Sequence, residues 1–399
     1  MAQRAADEPG LWRLGLGLGL LSALGPVSID LYLPAFPRIA DDLNATPGDV
    51  QRTLSAFLFA LACAQIPIGS FGDRFGRKAP LFLGLGLFVL ASIACALAPT
   101  IDALIAMRFV QGAGVCAGTA VARAMIRDMR TGHEAARLMA ASFLIIGISP
   151  ILAPLAGSAL LTLMSWRGLF GVLAVLGVPA LALAWLALPE TLPPEQRVAR
   201  GTPVLPAYHR LFGNRRFLAG AAIAGLATTI PFAYVTAAPF VYTGLFGLES
   251  HSYSLLLALN AACSIATTQL APLLMRRWGA RALLIRMSLA GTLLTAAMAG
   301  LAAGGAVGLI TFQAYSMLLF GLAGLLLTPA AISALDSGAS GAGAAAGLLG
   351  ALQLAVTAAA SASVSLFPAF SLQPLLVVLG AALALAFLLS AARRPATEQ

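Results

Sequence analysis

Charge is scarce in this chain. Asp, Glu, Lys and Arg make up 10% of its 399 residues, and Lys78 is its only lysine. Ordinary globular proteins carry about 25% charged residues, and with 60% hydrophobic residues here the water-soluble class is excluded. The three histidines (His133, His209, His251) lie far apart in connections, without metal spacing. The four cysteines (Cys63, Cys95, Cys116, Cys263) all fall inside apolar runs, with neither metal nor disulfide spacing, and read as small packing residues. No GxxxxGK[ST] loop occurs, which argues against ATP as an energy source. No catalytic constellation appears either, so neither an enzyme nor a cofactor or metal is expected. The formal charge of +9 does not point to nucleic acid, because the arginines are confined to short connections between apolar runs, where they act as a topology signal.

What remains is apolar sequence in long continuous runs. A membrane-crossing helix needs about 20 apolar residues, whereas a barrel strand would alternate over about 10. The runs predict an all-α membrane protein of twelve transmembrane helices, near 12–36, 53–71, 79–98, 102–123, 138–161, 168–188, 217–242, 253–274, 282–302, 308–332, 343–366 and 372–392. The first run has a charged preface but no small-residue cleavage site, and it contains Asp30, so it reads as a retained span rather than a leader. One long polar break, Pro189 to Arg216, divides the runs six and six. The expected organisation is an N-terminal bundle (1–188), a cytoplasmic linker (189–216) and a C-terminal bundle (217–399). With both termini cytoplasmic, only Arg38, Arg52 and Arg167 of the loop arginines lie outside, as the positive-inside rule demands.

The densest polar feature is the turn between the second and third runs, GSFGDRFGRK, from Gly69 to Lys78. A shift of 203 residues lays Arg276-Arg277-Trp278-Gly279-Ala280-Arg281 over Asp73-Arg74-Phe75-Gly76-Arg77-Lys78, which suggests a parallel repeat of the two halves. Asp73 has no counterpart in the echo.

Gly69-x-x-x-Asp73-Arg74-x-Gly76-Arg77-Lys78 resembles the signature loop of the major facilitator superfamily. Arg108-x-x-Gln111-Gly112-x-Gly114 resembles the second motif of its drug:proton antiporters. Pro150 and Pro154-x-x-Gly157 resemble the antiporter motif, with Ser149 and Ala153 where glycines are usual. The runs SIDLYLPAFP and PFAYVTAAPFVY narrow the resemblance to the Bcr/CflA branch (bicyclomycin and chloramphenicol resistance). The resemblance implies two six-helix bundles in a bacterial inner membrane, small-molecule drugs and protons as partners, and a monomer. It also implies that Asp73 docks against the start of span eleven, that Arg77 pairs with Asp128, and that Arg74, Gly76 and Lys78 complete a gate.

Asp30 and Arg108 stand out without any resemblance. A carboxyl within a span costs about 2.5–3.5 kcal/mol to insert and marks a functional pathway. Counting helical rise places Asp30 about 6–10 Å and Arg108 about 9 Å below the same face. Burial and a nearby cation push a carboxyl's protonation in opposite directions, so the pair can serve as a proton switch, or simply as a permanent ion pair. In span five, Pro150, Pro154 and Gly157 act as either a seal or a packing kink. Substrate contact is assigned to Tyr32, Gln65, Gln111, Phe232, Tyr234, Asn260 and Gln353, with Gln313 a further candidate. Each can equally satisfy an interhelical hydrogen bond. The expected function is proton-coupled efflux of small amphipathic drugs, with Asp30 as the proton carrier. An exporter or importer of a small metabolite such as an amino acid is the nearest alternative, and a non-transporting membrane sensor or scaffold is the alternative of another class.

Overall fold

A computed structural model describes residues 8–129, 132–198, 205–335, 342–366 and 371–392. The regular elements among them are all helical. The first half contains α1 (Glu8–Asp30), a 3-10 turn (Leu33–Ala35), α2 (Phe36–Asp42), α3 (Pro47–Phe75), α4 (Lys78–Ala96), α5 (Ile101–Met129), α6 (Gly132–Leu160) and α7 (Trp166–Leu186). A short helix, α8 (Leu205–Gly213), lies in the expected linker. Then come α9 (Arg215–Phe240), α10 (Ser250–Trp278), α11 (Ala280–Ala303), α12 (Leu309–Leu335), α13 (Ala342–Val364) and α14 (Gln373–Ala392). Among the described residues, 11 helices are long and apolar enough to cross a membrane, and α6 adds the apolar stretch Ile145–Leu160.

Two of the long helices begin on polar side-chain caps. At the start of α3, Thr46 accepts from the Asp49 amide while Asp49 Oδ2 accepts from the Thr46 amide at 3.1 Å, a reciprocal cap ahead of Pro47. Asn214 caps α9 through the amides of Arg216 and Phe217. The first predicted span departs most from a single helix. It ends at Asp30, turns through Leu33–Ala35, and resumes as α2. That short helix is pinned by Trp166 Nε1 donating to Asp42 at 3.0 Å, by an Arg167–Asp42 ion pair, and by Arg38 donating to the Leu161 carbonyl at 2.7 Å.

In the first half, α5 packs on α1, α3 and α4, with α6 on α1 and α7 on α4. In the second, α9 packs on α12, α13 and α14, while α12 also meets α10 and α11. Lipid offers helices no hydrophobic contrast, so association relies on close backbone approach. At Gly118 an added Cβ would stand 2.6 Å from the Leu21 carbonyl oxygen, which binds α5 tightly to α1. The halves meet along α3–α13 and α6–α10. Further contacts join them at the end opposite the arginines. Tyr253 donates to the Leu33 carbonyl at 2.9 Å, Ser250 donates to the Pro34 carbonyl at 3.2 Å, and Phe36 meets Phe240 at 5.9 Å between ring centroids.

The internal echo has a structural counterpart. Gly76 (φ 90°) and Gly279 (φ 80°) end α3 and α10 in the left-handed half of backbone space, where a side chain would be strained. Each turn then sends a basic residue to the end of its half's last long helix. Lys78 Nζ donates to the Trp185 carbonyl at 3.2 Å, and Arg281 Nη2 donates to the Ala391 carbonyl at 2.9 Å. Both cations meet a helix C-terminus, whose unpaired carbonyls carry partial negative charge.

Candidate functional site

Arg108 is fully buried in the middle of the first half. Its Nη1 donates to the Ser28 carbonyl at 3.1 Å and to Gln111 Oε1 at 2.5 Å. Gln111 is in turn held by donating to Ser92 Oγ at 2.7 Å. The guanidinium lies over three rings, with 4.2 Å to the centroid of Tyr32, 4.3 Å to Phe57 and 5.7 Å to Phe170. The chemistry of a buried cation explains this arrangement. Carbonyls in the last turn of a helix are partly negative, and the ring faces add cation–π attraction where water is missing. Tyr32 is fixed in place by a 2.9 Å hydrogen bond between its hydroxyl and that of Thr53. Among the described residues, Nε and Nη2 of Arg108 have no hydrogen-bond partner.

Asp30 is the last residue of α1, two positions beyond the carbonyl that Arg108 holds, and it too is buried. Among the described residues no ion pair joins Asp30 to Arg108, so the structure does not contain the permanent pair that was one reading of the sequence. The site therefore gathers Tyr32, Gln111 and the Ser28 carbonyl around a caged guanidinium, with the Asp30 carboxyl two residues further along the chain. Gln65 is buried in α3, while Gln353 is partly buried in α13, where its backbone carbonyl accepts from Thr357. On α6, Pro150 and Pro154 lie within the helix, and Gly157 sits so close to the Leu31 carbonyl that no side chain would fit.

At the arginine-rich end, Arg77 is the hub. Its Nε and Nη2 donate to the two oxygens of Asp128 at 2.6 and 3.2 Å, and Nη1 donates to Asp73 Oδ1 at 2.7 Å. The Arg77 side chain is 9% exposed, Asp128 17% and Asp73 49%, so the Asp128 arm is the better shielded. Desolvation alone would depress the Arg77 pKa, but hydrogen bonds to Asp128 and Asp73 outweigh it and raise the value. Gly72 leaves room for this side chain, since an added Cβ would stand 3.3 Å from Arg77 Nη1. Arg74 occupies the last turn of α3, and Gly69 faces open space. Among the described residues Asp73 makes no hydrogen bond or ion pair with the start of α13; residues 336–341 lie outside the description.

Two members of this cluster were not singled out in the sequence. Glu190 receives the backbone amides of Arg77 at 2.8 Å, Lys78 at 3.1 Å and Leu192 at 3.1 Å. Two of these amides open α4, so the carboxylate caps that helix from a remote segment. Partial burial would raise the Glu190 pKa, but the three amides and nearby Arg197 overcome it and hold the group below its ordinary value. Tyr208, on α8, is part-buried close to Asp73. Burial, then the charge of Asp73, raises its pKa. The only sequence signal for Glu190 was an acid in the polar break; for Tyr208 there was none. A carboxylate with a depressed pKa stabilises the fold above its unfolded pKa and loses that contribution as pH falls through its folded one. Glu190→Gln is therefore expected to lower thermal stability at pH 7 by less than about 1 kcal/mol, screening included. The gap between variant and parent narrows as pH falls through the folded pKa of Glu190, which parallel melts of the two proteins over a descending pH series will show.

The second half contains an uncharged polar ring. Tyr242 donates to Gln313 Oε1 at 2.5 Å and Gln313 Nε2 donates to Asn260 Oδ1 at 2.9 Å. Asn260 Nδ2 donates to the Tyr234 hydroxyl at 3.3 Å, and the two tyrosine hydroxyls close the ring at 2.7 Å. Three sequence candidates (Tyr234, Asn260, Gln313) thus converge with Tyr242, which the sequence reading did not select. Tyr242 lies in a π-helical turn, Val241–Leu245, a rare device that changes the phase of a helix. Phe232 is only partly buried and packs against the core.

Residues 18–363 match the family profile described as Major Facilitator Superfamily. The chain belongs to that superfamily. It is 38% identical over 266 residues to the uncharacterized MFS-type transporter YdgK of Bacillus subtilis, covering 65% of this chain and 66% of that one. A bicyclomycin resistance protein homolog of Haemophilus influenzae is 31% identical over 281 residues, 69% of either chain. Multidrug resistance protein MdtL of Escherichia coli is 32% identical over 265 residues, 66% of this chain and 67% of that one. The matches thus span about two thirds of these relatives' length, and they agree with the Bcr/CflA-type resemblance. Among solved structures, a D-xylose-proton symporter superposes with a TM-score of 0.74 at 16% identity, covering 96% of each chain. The nucleoside transporter NupG gives 0.72 at 15% identity, covering 96% of this chain and 99% of that one. The chain is accordingly a multi-pass membrane transporter with the major facilitator fold, not an enzyme.

Proposed function

We propose that this transporter expels small amphipathic compounds across a bacterial inner membrane in exchange for protons, with Asp30 as the proton carrier and Arg108 as its switch. The observation that supports this reading is that a buried carboxyl ends α1 two residues past the carbonyl held by a caged arginine, whose Nε and Nη2 have no acceptor among the described residues. A small movement of the α1 end relative to α5 would hand those N–H groups a carboxylate and favour proton release. In the complementary arrangement Arg108 stays on the Ser28 carbonyl, as here, and Asp30 can hold its proton. Buried, uncharged hydrogen-bonding side chains such as Gln111, Asn260 and Gln313 suit weakly polar substrates, and the names of the bicyclomycin and multidrug resistance relatives support that class.

In this reading the bundles 1–188 and 217–399 rock about a central site, with both termini and the Arg77 cluster on the cytoplasmic side. The Tyr253–Leu33 and Ser250–Pro34 contacts then seal the outer side, and the Arg77–Asp128–Asp73–Glu190 cluster controls the inner one. The test is substrate-driven proton movement in energised inverted vesicles, with a phenicol and bicyclomycin among the added compounds. A rise in lumenal pH that requires the transporter is expected. No proton movement with any compound refutes the exchange.

A further inference from the structure

A cavity of about 220 Å³ lies between α1, α5 and α6, toward the arginine-rich end. Its polar lining is unequal. Ser22 donates to the Leu18 carbonyl at 2.9 Å, Thr119 to the Cys116 carbonyl at 3.0 Å, and Ser142 to the Leu138 carbonyl at 3.1 Å. Each hydroxyl has committed its one proton to backbone, so all three face a ligand as acceptors only. The exception is Arg123. Its Nε donates to the Thr119 carbonyl at 3.1 Å, and among the described residues no carboxylate pairs with it. Arg123 is exposed although it stands six residues inside the end of α5, about 9 Å along the helix, between buried Ala122 and Ala124. Pro26, Ile126 and Met139 supply apolar wall.

Position links this cavity to the proton site. Ser22, Pro26 and Asp30 fall at i, i+4 and i+8 of α1, and Arg108 and Thr119 are three turns apart on one face of α5. The cavity thus lies on the same helix faces as Asp30 and Arg108, with its own cation toward the arginine-rich end. An arginine so deep in a span is costly unless water or a partner meets it. A guanidinium matches planar acceptor groups in particular.

We propose that this cavity is a ligand subsite in which Arg123 takes the carboxylate, carbonyl or nitro group of an amphipathic compound, the three hydroxyl oxygens accept its N–H or O–H groups, and organic cations are turned away. The proposal rests on the transport reading for its role but not for its chemistry. Equilibrium binding to the full chain in lipid nanodiscs tests it, using three probes of one shape: 3-phenylpropionate, 3-phenylpropionamide and phenethyltrimethylammonium. The parent protein is expected to bind the anion tightest and the ammonium weakest. Arg123→Gln lowers anion affinity about tenfold, to the level of the amide, as loss of a charge-assisted hydrogen bond does. Arg123→Glu prefers the ammonium, and Arg123→Lys keeps the parental order. Equal discrimination by the parent and Arg123→Gln, a parental preference for the ammonium, or no binding of any probe at millimolar concentration overturns the subsite. Charge discrimination without substrate-driven proton movement in vesicles refutes the transport reading and leaves the subsite standing. Proton movement with no dependence on Arg123 does the reverse.

Discussion

Asp30→Asn is expected to abolish proton-driven accumulation while leaving substrate exchange intact. Asparagine keeps the size of the side chain and its hydrogen-bonding oxygen but cannot carry a proton. A potential of 100 mV supplies about 2.3 kcal/mol for each charge returned, enough for about a fifty-fold substrate gradient by a one-for-one exchanger. In proteoliposomes under that potential, the parent should approach this ratio and the variant should fall to about one. Counterflow, in which labelled compound enters against unlabelled compound without an ion gradient, should persist, because the cage of Tyr32, Phe57 and Phe170 around Arg108 does not involve the Asp30 carboxyl. Loss of both activities would assign Asp30 to substrate contact or folding instead, and retention of both would remove it from coupling. Arg108→Lys adds a second reading. A lysine keeps the charge but neither covers the rings nor bridges Ser28 and Gln111 in the same way, so coupling should weaken together with substrate affinity.

The spans, their order and the polar break were legible because lipid imposes one simple rule, a long apolar run for each crossing. Asp30, Arg108 and the Gly69–Lys78 turn were legible for the complementary reason, that charge in such a chain is rare enough to be conspicuous. The partners of those charges were not. Arg108 binds the carbonyl of Ser28, a backbone group that no residue pattern encodes. Glu190 reaches the amides of Arg77 and Lys78 across more than a hundred positions, a distance set by how α4 and α7 pack. Tyr242 lies eight residues beyond Tyr234, about 12 Å along a regular helix. Their hydroxyls nevertheless meet at 2.7 Å, where the π-helical turn follows α9. Nothing in the composition announces that turn. The α1 break was half legible: Pro34 and Pro37 mark an end to the span, but the apolar run Leu31 to Phe36 does not place the break at Asp30.

The two arms of Arg77 should differ in kind, and this gives the other large effect. Arg77→Ala leaves the better-shielded Asp128 carboxylate without its guanidinium, and breaking a part-buried pair from one side costs more than the ~1 kcal/mol of an exposed pair. Among the described residues, Asp128 would retain the Thr191 hydroxyl, at 3.1 Å. Asp73 is half exposed, and an ion pair in that setting contributes less than about 1 kcal/mol. In thermal or denaturant unfolding, Asp128→Asn should therefore be much more harmful than Asp73→Asn, and the Arg77–Asp128 double-mutant cycle should show the larger coupling. The order reverses for transport if Asp73 belongs to the gate. Asp73→Asn should leave stability near that of the parent and slow turnover several-fold, because the ends it helps to hold must part and rejoin in every cycle. Equal losses of stability for the two aspartates would show that Arg77 serves one rigid cluster and that Asp73 has no separate part in opening it.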